Sequence, residues 1–152
     1  MFKKVPILIF FFLIFFVSFE DLYSKDEYFL TLRNEKVNLR QGPSFDYPVK
    51  ILYKKKYLPV LIQDSSDNFR KIRDHENNSG WVHISQLSKK KAAIVIEKEL
   101  ILFDKSTIFS NPVALLKEGR LVKISKCKTK WCKVKTGKYK GWVSKNGLWG
   151  LL

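Results

Sequence analysis

The sequence has few acidic residues, and this scarcity is its most informative bulk property. Of its 152 residues only 14 are Asp or Glu, whereas 29 are Lys or Arg, which gives a formal net charge of +15. Such an excess of cations favours anionic partners, namely cell-wall polymers, acidic lipid headgroups or nucleic acid. The alternative that remains open is a highly soluble surface with no polyanionic partner.

Catalytic sequence motifs are also lacking. The chain contains no Gly-x-Ser-x-Gly, no His-Glu-x-x-His and no phosphate-binding glycine loop. Of the two histidines, His75 is predicted to be solvated in a polar loop and His83 to lie in a strand. The acidic residues are scattered, with no pair that can be argued to face a common site. We therefore predict a non-catalytic protein with no cofactor and no metal site.

The N-terminus has the layout of an export signal. Two early lysines are followed by residues 5–19, which carry no charge, and Ser24 is a small residue at a cleavage position. The apolar run is shorter than the roughly twenty residues that a spanning helix needs. We predict a signal peptide over residues 1–24 and a periplasmic or secreted protein, which argues against a nucleic-acid partner. Because Leu22 is bulky for its position near the cut, an uncleaved membrane anchor stays open.

Glycine and proline are sparse but fall between short alternating segments, and no stretch shows sustained 3.6-residue periodicity, so an all-β fold is predicted. The predicted strands of the first half are residues 37–40, 48–53, 57–63, 69–73 and 80–85. Residues 63–68 and 74–79 are predicted to be polar turns. Short strands separated by turns at this spacing predict a small β-barrel.

A second copy of this pattern follows about sixty residues later. The Gly-Trp-Val triplet at 80–82 recurs at 141–143, and repeats of this kind set the architecture. We predict one barrel over residues 28–90, a second over 91–152, and a linking strand over 92–97. Since no Pro- or Gly-rich linker separates two units that are each marginal in size, we expect them to pack closely.

Only two cysteines are present, Cys127 and Cys132. If residues 128–131 form the tip of a hairpin, the two lie opposite each other on adjacent strands, about 4.5 Å apart between Cα atoms. This separation suits a disulfide, and export makes one expected. The alternative interpretations of the cysteine pair are a metal site, which would need two further ligands, and a redox motif, which would normally have C-x-x-C spacing.

Strand parity identifies candidate binding residues on the face opposite core aliphatics such as Ile72 and Val134. They are Phe69, Lys71 and Arg73 in the first unit and Trp131, Lys133 and Lys135 in the second. In a binding site the rings would stack on a sugar or peptide, and the cations would meet carboxylate or phosphate. The alternative is that the rings pack against the neighbouring barrel beneath lysine stems. Trp81 and Trp142 are expected to fill the cores.

Several short motifs carry a resemblance to a known family. They are Val-Asn-Leu-Arg-Gln-Gly-Pro-Ser at 37–44, Leu-Pro-Val at 58–60, Phe-Arg-Lys-Ile-Arg at 69–73, Gly-Trp-Val-His at 80–83, Trp-Cys-Lys-Val at 131–134, Gly-Trp-Val at 141–143 and Leu-Trp-Gly at 148–150. On these residues the chain resembles the bacterial SH3-like domain family, in particular its two-copy proteins of Gram-negative cells. It departs from the family at Phe69, where Trp is usual, and at Tyr57, where Gly is common.

The resemblance implies a β-barrel protein of the cell envelope, often taken to bind wall components. The leading hypothesis is an exported binding module that contacts cell-wall peptide or an envelope protein. One alternative is electrostatic binding of anionic polymers or a membrane surface through the lysine-rich second repeat. Another is a purely structural role in assembly.

Overall fold

A computed structural model describes residues 26–151, and short β-strands make up most of it. The predicted signal peptide, residues 1–24, lies outside this range. The described residues contain no α-helix, only 3₁₀ turns at Ile84–Gln86 and Lys145–Gly147. No helical segment in this range is long and apolar enough to cross a membrane.

The strands form two seven-stranded antiparallel sheets with the same topology. The first contains β1 (Tyr28–Leu32), β2 (Val37–Arg40), β3 (Val49–Tyr53), β4 (Pro59–Ser66), β5 (Phe69–Arg73), β6 (Ser79–His83) and β7 (Leu87–Ser88). The second contains β8 (Ala92–Val95), β9 (Glu99–Phe103), β10 (Pro112–Lys117), β11 (Leu121–Cys127), β12 (Trp131–Thr136), β13 (Tyr139–Ser144) and β14 (Leu148–Trp149). The strand orders are β3-β2-β6-β5-β4-β1-β7 and β10-β9-β13-β12-β11-β8-β14, so each strand has a counterpart seven strands later. The predicted all-β fold with a tandem repeat is confirmed.

One predicted turn is wrong. Residues 63–68 are polar, yet β4 continues to Ser66, and the chain reverses only at the following two residues, where Asp67 has a φ of 44°. A bulge between Ile62 and Asp64 shifts the register, after which the polar residues pair with β5. They form the outer end of a hairpin, where both strand faces can meet solvent and polarity does not oppose pairing.

Each sheet surrounds its own hydrophobic cluster, and the two Gly-Trp-Val triplets contribute to these clusters in the same way. Val82 and Val143 are fully buried members of the first and second core. The expectation that the triplet tryptophans fill the cores is wrong for Trp81, which is half-buried, whereas Trp142 is buried but lies outside the second core cluster. Because the glycine and the valine of each triplet face inward, strand alternation directs Trp81 and Trp142 to the outer face.

Strand β8 joins the two barrels. All four of its residues are buried. Ile94 belongs to the first core, whereas Ala93 and Val95 belong to the second. A strand buried on both faces has an almost continuous apolar sequence, which is why residues 92–95 read Ala-Ala-Ile-Val. The predicted close packing of the two barrels is confirmed, and the linking strand ends two residues earlier than expected.

Aromatic contacts extend the interface between the barrels. Trp149 of β14 packs edge-on against Phe29 of β1, with ring centroids 4.8 Å apart. His75 lies 6.1 Å from the same Trp149 ring. The prediction that His75 is solvated is therefore wrong. It is half-buried, because its loop turns toward the second barrel.

The two cysteines form the predicted cross-strand disulfide. Cys127 of β11 and Cys132 of β12 are register partners with Cα atoms 4.0 Å apart. The hairpin closes through a hydrogen bond from the Lys128 amide to the Trp131 carbonyl oxygen, 2.7 Å long. The bridge therefore fixes the end of the hairpin that carries the lysine-rich surface described below.

Candidate binding surfaces

An aromatic cluster lies on the outer face of the first barrel. It consists of Phe45, Phe69 and His83, whose ring centroids are 5.1–5.2 Å apart in every pair. Phe69 is almost fully buried, and Phe45, which covers it, is 61% exposed. The guanidinium of Arg40 lies 5.4 Å from the Phe45 ring centroid. We call Arg40, Phe45, Phe69 and His83 the first aromatic cluster.

The loop that presents Phe45 is held in place by the Arg40 side chain and by a backbone hydrogen bond. Arg40 donates hydrogen bonds from Nη1 to the carbonyl oxygens of Phe45, at 3.0 Å, and Tyr47, at 2.8 Å. The loop is closed by a 3.1 Å hydrogen bond from the Gln41 amide to the Pro48 carbonyl oxygen. Gly42 leaves room for the Tyr47 ring, because a Cβ at that glycine would lie only 2.6 Å from it. The Arg-Gln-Gly-Pro motif therefore forms an ordered support for one exposed ring.

The candidate residues of the first barrel separate in the structure. Phe69 packs against Phe45 and His83 of its own barrel. Lys71 is exposed on the strand next to Trp81, its register partner. Arg73 donates from Nη1 to Asn77 Oδ1 at 2.9 Å and so serves the following turn. The cation that contacts the cluster is thus Arg40.

The outer face of the second barrel is basic. Trp142 is only 7% exposed, because lysine side chains extend over its ring. The Nζ atoms of Lys128, Lys126 and Lys133 lie 4.9, 5.7 and 5.8 Å from the ring centroid. The methylene stems shield the indole, and the ammonium groups stay in water. The predicted residue Lys133 therefore belongs to this surface.

A row of like charges continues the same face. Lys123, Lys135 and Lys140 are successive register partners across β11, β12 and β13. Residues 121–145 include nine lysines and no acidic residue. Like charges directly opposite each other across strands destabilise a sheet, and a polyanion would relieve that repulsion. The lysines of residues 121–145 are called the lysine surface below.

Trp131, the remaining candidate, packs edge-on against Phe103 of the same barrel, with centroids 5.7 Å apart. Phe103 precedes a loop, residues 104–111, that corresponds to the Phe45 loop. Its apolar residues are not packed: Ile108 is 66% exposed and Phe109 is 92% exposed. Lys128 Nζ lies 3.3 Å from Ser106 Oγ, which places this loop beside the lysine surface.

The two barrels correspond to two matches to a known protein family. The family described as Bacterial SH3 domain matches the sequence twice, at residues 33–89 and 100–150. The chain belongs to the bacterial SH3 domain family. No curated protein matches it. Similar solved structures include NlpC2 from Trichomonas vaginalis (12% identity, TM-score 0.37, covering 84% of this chain and 49% of that one). NlpC1 from the same organism is also similar (12% identity, TM-score 0.37, covering 82% and 46%), so this chain spans about half the length of either structure.

Tyr57 of this bacterial SH3 protein has an unusual backbone. Its φ is 64°, in the left-handed region that favours glycine and that costs other residues on the order of 1 kcal/mol. Lys123 Nζ lies 4.5 Å from the ring centroid, and those of Lys56 and Lys90 each lie 5.5 Å away. The positive charge of Lys90, followed by Lys56 and Lys123, lowers the pKa of the Tyr57 phenol. Lysines from both barrels thus meet at one ring.

Replacing Lys90 by glutamine is expected to raise the pKa of Tyr57 toward its ordinary value, because the largest of the three charges is removed. The pH titration of ring-labelled tyrosine by NMR measures this directly. Lys138→Gln is the matched control, since Lys138 stands over a different ring, Tyr139, at 5.4 Å. If Tyr57 titrates identically in all three proteins, Lys90 does not lie at that ring.

The described residues bring together no three His, Cys, Asp or Glu side chains that could hold a metal ion. The candidate surfaces also contain residues that sequence reasoning missed, namely Arg40 and Phe45 in the first barrel and Phe109 in the second. The available signal was weak: two of them are aromatic residues inside polar turns, where a ring has no core to enter and is therefore exposed.

Proposed function

We propose that this bacterial SH3 protein is a non-catalytic binding module that acts in the periplasm or outside the cell and contacts cell-wall peptide. The observation that carries the proposal is the exposed ring of Phe45, supported by buried Phe69 and held by Arg40. A rigid ring at the surface loses little conformational entropy on binding, and a fixed guanidinium beside it matches a carboxylate. Wall peptide supplies both carboxylates and apolar surface.

The disulfide supports the proposed location, because such bonds persist in oxidising compartments. In the first barrel, Phe69 acts through Phe45, and Lys71 and Arg73 remain predicted contacts at the edge of the surface. In the second barrel, Trp131, Lys133 and Lys135 remain predicted contacts. An envelope protein that presents an acidic and apolar segment would fit the same surface, and the experiment below distinguishes it from the wall.

Sedimentation with purified cell-wall sacculi tests the proposal. Phe45→Ser should weaken binding roughly tenfold, equivalent to about 1.4 kcal/mol, because it removes the exposed anchor. Phe45 suits this test better than Phe69, whose replacement would open a cavity in the barrel. The loss should persist at moderate salt, since it is due to shape and apolar contact rather than to charge.

The matched control is Phe109→Ser, which removes an exposed ring from the corresponding loop of the second barrel. Its sacculus binding should equal that of the wild type. Failure of the wild-type protein to sediment with sacculi would exclude wall peptide and favour an envelope protein. Unchanged binding of Phe45→Ser would exclude the first aromatic cluster as the site.

A further inference from the structure

The loop at residues 104–111 exposes two large apolar side chains. Phe109 is 92% exposed and Ile108 is 66% exposed, and the two are adjacent in sequence. Isolated apolar residues at a surface are common, but a nearly bare Phe next to a bare Ile at a loop tip indicates a contact surface. The corresponding ring in the first barrel, Phe45, packs on Phe69 and His83. The second loop has no equivalent packing.

Hydrogen bonds hold this loop in an ordered shape. Ser110 Oγ donates to the Thr107 carbonyl oxygen at 2.8 Å and accepts from the Lys105 amide at 3.3 Å. The loop base is closed by a 3.0 Å bond from the Asp104 amide to the Asn111 carbonyl oxygen. Asp104, the only carboxylate of the loop, accepts a hydrogen bond from the Asn111 amide at 3.1 Å. The two apolar side chains are therefore presented outward by a fixed frame.

The surroundings of the loop tip are cationic. Lys105 lies in the loop, and Lys128 reaches Ser106 from the β11–β12 hairpin. Lys126 shares the Trp142 ring with Lys128, so the loop stands at the border of the lysine surface. An apolar tip surrounded by lysines is complementary to an anionic bilayer, in which acyl chains lie beneath negative headgroups. Shallow apolar insertion and basic charge are each weak alone and effective together.

We infer that the second barrel docks on an anionic lipid bilayer by inserting Ile108 and Phe109 between the headgroups while the lysine surface, led by Lys126 and Lys128, contacts the phosphates. This site is separate from the proposed wall-binding cluster on the first barrel. Lys133 and Lys135 belong to the lysine surface, so these two predicted contacts would then face the bilayer, while the first aromatic cluster would hold the wall.

Flotation of the purified protein with phosphatidylcholine vesicles, with and without phosphatidylglycerol, tests the inference. The wild type should bind only the anionic vesicles. Ile108→Ser/Phe109→Ser should bind them roughly tenfold more weakly, with an unchanged melting temperature because both side chains are exposed. Lys126→Gln/Lys128→Gln should bind about 25-fold more weakly, since each lysine near the surface contributes about fivefold.

Two controls match these variants. Phe45→Ser changes the corresponding loop of the first barrel and should float as the wild type does. Lys36→Gln/Lys98→Gln removes the same charge from two exposed lysines outside the lysine surface and should lose much less binding. Absence of wild-type flotation, or equal binding to neutral and anionic vesicles, overturns the inference. So does a loss in the lysine variant without a loss in the loop variant, because that result assigns the surface to a charged polymer instead.

Discussion

Replacing Gly141 by alanine is expected to destabilise the protein by about 3 kcal/mol, a large share of the roughly 5–15 kcal/mol by which domains are stable. The cause is the close crossing of β13 and β9. A Cβ at Gly141 would overlap the carbonyl oxygen of Phe103 and lie 3.0 Å from Leu102 Cγ. A backbone oxygen cannot move aside as a flexible side chain can, so the strands must separate. Chemical denaturation followed by tryptophan fluorescence measures the change.

Gly80 makes the same crossing in the first barrel, where a Cβ would lie 2.6 Å from the Arg40 carbonyl oxygen, and Gly80→Ala should have a similar effect. The matched control is Gly137→Ala. Gly137 has a φ of 53° with no atom near the Cβ position, so only backbone strain of about 1 kcal/mol is expected there. If Gly141→Ala were no more destabilising than this control, the strands would not be in contact at the triplet.

Replacing Asp74 by alanine is expected to destabilise the protein by about 3–5 kcal/mol. This side chain is 1% exposed and accepts four hydrogen bonds. Oδ1 accepts from the amides of Glu76 and Asn78, and Oδ2 accepts from the Asn78 side-chain amide and the Tyr53 hydroxyl. Alanine would leave these donors, including the buried hydroxyl, without partners, and each such loss costs about 1–3 kcal/mol. Thermal and urea unfolding both report the effect.

Asp46→Ala is the control for this variant, because Asp46 is exposed and its described hydrogen bonds stay within its own turn, to Ser44; a change within about 0.5 kcal/mol is expected. The network also has a pH signature. Burial, then the hydrogen bond to Asp74, raises the pKa of Tyr53 far above its ordinary value of 10.0. The neutral phenol therefore contributes its full stabilisation below pH 10.0, the ordinary pKa. As the pH rises above this value toward the raised pKa of the folded protein, the contribution is lost. Asp74→Ala should weaken the alkaline decline, whereas an unchanged decline would contradict the described contact.

Local sequence patterns predict some elements to the residue. The strands at 37–40 and 69–73 and the Cys127–Cys132 pair follow from alternation and spacing, both of which are short-range properties. The orientation of the triplets does not follow. Gly80 and Val82 lie on one face of the strand and Trp81 lies on the other. Because both faces carry apolar residues, strand alternation alone does not predict which face enters the core. The deciding contact, Gly80 against the Arg40 carbonyl oxygen, joins strands forty residues apart in sequence.

The candidate site was less accessible to sequence reasoning for the same physical reason. The aromatic and cationic residues of the two strands were identified, but their surroundings come from loops that fold back over them. Phe69 is buried because Phe45, in a loop, covers it. Arg40 holds that loop because the chain returns to its own strand. Such long-range contacts produce no periodic pattern in the sequence. Only the aromatic residue in an otherwise polar loop indicates them.

Strand β8 makes the two cores interdependent. Ile94 lies in the first core, while its neighbours Ala93 and Val95 lie in the second. Deleting the second unit together with this strand would remove a side chain from the first core, and deleting the first unit would expose Ile94 to solvent. Neither unit can therefore be produced alone without a defect at this junction.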